Sequence, residues 1–163
     1  AVATLLNNMG AVLFATGDYA ESLEHHRRAR EIWEESLGPR HPYVGSSYNN
    51  IGEVMHRQGN LEQAQSHFQR AQTIWEESLG PRHPYVAAAL TNLGQVWAER
   101  GQLDKARAHH ARALAIRRDG LGAEHPATAQ SRDHLERVQQ LLLQHSTTQP
   151  AQGEISTGNE RMP

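Results

Sequence analysis

Apolar residues recur along this chain at three- and four-residue intervals, the spacing of one helix face. From Pro42 the run Val44, Tyr48, Ile51 and Met55 predicts a first helix, with Pro42 at a first helical position where its missing N–H is harmless. Gly59-Asn60 breaks the pattern and supplies a turn. Leu61, Ala64, Phe68, Ala71, Ile74, Trp75 and Leu79 then predict a second helix from about Leu61 to Leu79, closed by Gly80-Pro81. The same pair of stripes follows as Val86, Leu90, Leu93 and Trp97, then Leu103, Ala106, His110, Ala113, Leu114 and Leu121. It also precedes, as Leu6, Met9 and Leu13, then Tyr19, Leu23, Ala29, Ile32, Trp33 and Leu37. After Pro126 one further helix is predicted, with Leu135, Val138, Leu141 and Leu142 on one side.

The pattern repeats because the sequence does. Ile32–Val44 and Ile74–Val86 both read IWEESLGPRHPYV, an offset of 42 residues. Asn8-Met9-Gly10, Asn50-Ile51-Gly52 and Asn92-Leu93-Gly94 keep that offset, as do Gly17, Gly59 and Gly101, and the His-Pro pairs at His41, His83 and His125. A fixed period of this length predicts stacked supersecondary units in place of one globular core. The expected fold class is all-α: three helix-turn-helix repeats, about 1–41, 42–83 and 84–125, and a capping helix at 126–145. The capping helix carries His134 and Glu136 where the repeats have Asn and Gly, and a polar outer face suits the end of an array. Residues 146–163, rich in Ser, Thr, Gln, Gly and Pro, are expected to be disordered. Because Ala1 falls inside a repeat, the chain is expected to be a fragment of a longer protein.

Composition fits an elongated molecule with much surface: 37% hydrophobic residues and a mean hydropathy of −0.70. A net charge of −2 gives no general attraction to nucleic acid or to an anionic membrane, and neither is expected as a partner. With no cysteine there is no disulfide, thiol catalysis or cysteine zinc site, which fits a cytoplasmic location.

The units resemble tetratricopeptide repeats, in the long 42-residue form of kinesin light chains. Tyr48, Ile51, Gly52, Met55, Gly59, Leu61, Ala64, Phe68 and Ala71 carry the match in the second unit. Leu90, Leu93, Gly94, Trp97, Gly101, Ala106 and Ala113 carry it in the third, and Leu6, Met9, Gly10, Leu13, Gly17, Tyr19 and Ala29 in the first. Departures are Ser22 at a small-residue site and His26 and His110 at the aromatic site. The resemblance implies a right-handed superhelical solenoid whose first helices line a concave groove holding a protein or linear peptide. It also gives the mid-helix glycines a reason. Gly10, Gly52 and Gly94 each cost about 1 kcal/mol relative to Ala unless a neighbour comes too close for a Cβ.

In such a groove the residue before the large–Gly pair points inward, here Asn8, Asn50 and Asn92. An amide offers a donor and an acceptor, so the three are expected to pair with successive backbone groups of an extended peptide; the competing reading is helix-to-helix hydrogen bonding. Flanking candidates are Asn7, Asn49 and Thr91, then Ala11, Glu53 and Gln95, then Phe14, His56, Arg57 and Glu99. The set holds no basic cluster, so the family's clamp for a C-terminal carboxylate is not expected.

Other features resolve to structural roles. His41, His83 and His125 recur one repeat apart, too far for one ion, and are expected to organise their loops and helix starts; no metal or cofactor is expected. His25-His26-Arg27-Arg28-Ala29-Arg30 reads as a solvated helix face, and Trp33 and Trp75 as core. No nucleophile–base spacing or phosphate loop points to an enzyme. The alternative to peptide binding is self-association through the N-terminal end, where Leu5, Leu6 and Met9 are expected to be partly uncovered.

Overall fold

A computed structural model describes residues 1–148. Seven helices follow in chain order: α1 (Val2–Thr16), α2 (Tyr19–Leu37), α3 (Pro42–Arg57), α4 (Leu61–Leu79), α5 (Pro84–Glu99), α6 (Leu103–Leu121) and α7 (Pro126–Thr148). No strand occurs among the described residues. Each helix packs on its neighbour in sequence, and α3 also touches α1 and α5. This is the serial stacking that the 42-residue period demands, a superhelix of helix pairs with α7 at the first-helix position of a fourth. Helix α7 continues to Thr148, three residues into the segment expected to be disordered, and the rest of that segment lies outside the described residues.

The punctuation residues act as their chemistry dictates. Gly17 and Gly59 adopt φ of 90° and 78°, which lets the chain reverse between the helices of a pair within two or three residues. Each His-Pro pair starts a helix. His41 Nδ1 accepts the Tyr43 N–H at 3.2 Å, His83 Nδ1 that of Tyr85 at 3.2 Å, and His125 Nδ1 that of Ala127 at 3.1 Å. The tryptophans are core. Trp75 donates its Nε1–H to Pro42 O at 3.0 Å, and the rings of Trp33 and Trp75 lie 5.2 Å from those of Tyr43 and Tyr85.

The mid-helix glycines are where the pairs close up. A Cβ on Gly52 would stand 2.7 Å from the Phe68 ring; on Gly10 it would meet the His26 ring at 2.8 Å, and on Gly94 the His110 ring at 2.5 Å. His26 and His110 thus fill, in repeats one and three, the slot that Phe68 fills in repeat two. They are 1% and 3% exposed. This corrects the reading of the basic run as a solvated face: His26 is core, and Arg30 lies over the Tyr48 ring at 5.1 Å with Glu34 3.7 Å away, while Arg27 and Arg28 are exposed. Four positions of the predicted apolar stripes are exposed instead: Met9, Leu37, Leu121 and Leu141.

Candidate functional site

First helices α1, α3 and α5 lie side by side, and their shared face carries a cavity of about 370 Å³ lined by Phe14, Glu53, His56, Arg57, Asn92, Gln95 and Glu99. Its walls come from three repeats, so it exists only because the repeats stack. Arg57 does not pair with a carboxylate there; its guanidinium sits 5.7 Å from the Phe14 ring centroid. His56 Nε2 meets Glu99 Oε1 at 2.8 Å, tying α3 to α5.

The asparagines divide. Asn50 Nδ2 donates to Asn7 Oδ1 at 2.9 Å, and Asn92 Nδ2 donates to Asn49 Oδ1 at 3.0 Å. Each bond crosses from one first helix to the one before it. Asn7 Oδ1 also stands 3.0 Å from His26 Nδ1, which places the imidazole proton on Nδ1. Asn49 Nδ2 donates to Glu53 Oε1 at 2.8 Å, and the Asn92 amide reaches the same oxygen at 3.3 Å. Thr91 is buried and returns its hydroxyl to Ala87 O at 2.8 Å. The amides of Asn7, Asn49, Asn50 and Asn92 therefore all take part in joining helices. Of the three repeat asparagines, Asn92 lines this cavity. Asn8 is exposed and lines a different depression, with Leu5, Met9, Val12, Leu13, Glu21 and His25. Phe14, Glu53, His56 and Gln95 come together as their spacing predicted; Ala11 is exposed and lines neither.

The second depression marks the outer face of α1. Val2, Leu5, Met9 and Val12 are 63%, 61%, 43% and 64% exposed, whereas their counterparts one repeat on, Val44, Ser47, Ile51 and Val54, are at most 1% exposed beneath α2. Leu6 is half-buried, partly uncovered as expected, and packs on the cluster of Ala3, Ala29, Trp33 and Val44. Among the described residues no helix is long and apolar enough to cross a membrane, and no three His, Cys, Asp or Glu side chains gather as metal ligands.

This architecture has relatives. BtubC (BKLC) from P. vanneervenii superimposes with a TM-score of 0.74 at 18% identity, over 99% of this chain and 71% of its own. A kinesin light chain-like protein of Podosopora anserina, with nearly identical TPR-like repeats, gives 0.74 at 18% identity, over 91% and 77%. The first TPR of Spaghetti, bound to an HSP90 peptide, gives 0.63 at 16% identity, over 87% and 94%. At these identities the likeness is one of fold. None of the curated protein sequences matches the chain. The model of the tetratricopeptide repeat matches residues 1–71 and 43–119, most of the chain. With the 42-residue period, the mid-helix glycines and the helix-pair stack already in place, the chain belongs to the tetratricopeptide repeat family.

Proposed function

We propose that the chain is a non-catalytic protein-binding module that holds an extended segment of a partner along the face of α1, α3 and α5. The observation that carries this is the cavity itself, walled by three repeats and lined by side chains of mixed chemistry: the Phe14 ring, the Gln95 and Asn92 amides, and the Glu53 and Glu99 carboxylates. That a peptide occupies the Spaghetti repeat of the same fold supports a peptide as the occupant. Contact falls to Phe14, Glu53, His56, Asn92 and Gln95, with Arg57 and Glu99. Asn7, Asn49, Asn50 and Thr91 hold the wall in shape behind them.

Gln95 tests the site without touching the core. Gln95→Trp fills the cavity while leaving the helix-joining amides in place. Its melting curve should match the parent within a few degrees, and its capture of peptides selected on the parent chain should fall at least tenfold. Undiminished capture would move the site off this face.

A second reading rests on the exposed stripe Val2, Leu5, Met9 and Val12, in which a second copy packs against α1. Leu6→Asp would damage the core, so Leu5→Asp is the suitable probe. Sedimentation at rising concentration should show a dimer that Leu5→Asp abolishes; a monomer throughout would dismiss this reading.

A further inference from the structure

Charge in the groove is not balanced. Glu53 is half-buried, and both donors that reach its Oε1 are neutral amides, from Asn49 at 2.8 Å and Asn92 at 3.3 Å. Amides orient a carboxylate but do not neutralise it. No Lys or Arg among the described residues forms an ion pair with it. The second carboxylate on this cavity, Glu99, meets His56 through one oxygen, Oε1. Arg57 lines the same cavity but lies over the Phe14 ring and forms no ion pair with either carboxylate, so two carboxylates face one guanidinium; Arg100 lies over Trp97, 5.5 Å from its ring centroid, and donates to Gln65 Oε1.

A half-buried carboxylate has lost part of its hydration, and a guest cation restores what the amides cannot. We infer that the cavity takes a Lys or Arg side chain of the bound segment, its cationic head between the Glu53 and Glu99 carboxylates and its methylene stem along the cavity wall. This rests on the groove reading above and adds the class of segment: basic, not acidic. A peptide ending in clustered carboxylates meets two like charges here against the lone guanidinium of Arg57, and no clamp of several basic side chains.

The test uses a random dodecapeptide display library selected on the whole chain, followed by affinity measurement with fluorescent copies of the selected peptides. Selected sequences should be enriched at least threefold in Lys and Arg over the input. The acidic peptide SRMEEVD, used as a probe, should not bind measurably. Glu53→Gln/Glu99→Gln, which keeps the amide-accepting oxygen at position 53, should weaken binding at least tenfold, the scale of losing a hydrogen bond to a charged group. Raising salt from about 0.05 to 0.5 M should weaken the parent far more than the variant. Matching helicity and melting of the two chains secures the comparison. Selected peptides that lose affinity to Gln95→Trp, show no basic enrichment and bind the double variant within twofold would overturn the cationic-residue inference and leave the groove intact. Peptides indifferent to Gln95→Trp, or a library that yields none, would overturn both.

Discussion

Acidification from pH 7 to pH 4 is expected to remove on the order of 6 kcal/mol of folding stability, about 3 from each of two buried histidines. His26 and His110 have pKa values lowered from 6.5 to about 4, above all because burial strips water from the charged imidazolium. The charge of His25 adds to this at His26, and those of His134, His109 and Arg117 at His110. The sign follows from which state binds protons. The unfolded chain takes them up near pH 6.5 and the folded chain not until about pH 4, so stability is complete above 6.5 and is lost as pH falls through that window. A domain with 5–15 kcal/mol in hand is left marginal or unfolded. Urea denaturation at half-unit pH steps measures the slope. His110→Phe places in repeat three the ring that repeat two already holds as Phe68, so it should reduce the slope without loss of stability at pH 7; His26, with His67 and His134, whose pKa values burial also lowers, accounts for the remainder. An unchanged slope would mean that His110 is not the group responsible.

The second large effect is a pair of glycine substitutions with opposite signs. Gly94 and Gly120 both lie in helices, and Ala is the better helix former by about 1 kcal/mol. At Gly120 a Cβ meets nothing within 4 Å, so Gly120→Ala should raise stability by about 0.5–1 kcal/mol. At Gly94 it would lie 2.5 Å from the His110 ring, itself held beside the His134 ring at 5.2 Å between centroids. Relief requires α5 and α6 to separate, and Gly94→Ala should cost about 2–3 kcal/mol, within the range of overpacked cores. Chemical denaturation of the two variants decides it. Equal effects would show that the helix pair is looser than its geometry.

These positions also show what was legible from residues alone. The bounds of α4, expected at about Leu61 to Leu79, are where the chain puts them, because Gly-Asn and Gly-Pro leave the backbone little choice on either side. The close approach at Gly10, Gly52 and Gly94 was legible too, since glycine inside a helix is otherwise a loss. The burial of His26 was missed. The signal was present, for the 42-residue offset sets both histidines against Phe68, yet local composition suggested a solvated face. Exposure at the array's first helix was legible from the repeat register, which left Leu5 and Met9 without a preceding helix. Met9 and Ile51 are equivalent in sequence, and only the helix overhead makes one exposed and the other core.

The groove residues divide along the same line. The family resemblance gave the inward direction of Asn8, Asn50 and Asn92, and helical spacing then placed Phe14, Glu53, His56, Gln95 and Glu99 on the same face. It did not say whether an asparagine amide would turn to a ligand or to its neighbour one repeat away. Asn7, Asn49, Asn50 and Asn92 all turn to their neighbours, since a side chain with both donor and acceptor finds its like at the repeat distance.

Amide chemical-shift mapping of the labelled chain, titrated with a peptide selected on it, tests the central claim most directly. Shifts are expected to cluster on Phe14, Glu53, His56, Arg57, Asn92, Gln95 and Glu99, leaving the outer faces of α2, α4 and α6 unmoved. Shifts confined to those outer faces, or to Val2–Val12 at the first helix, would contradict it.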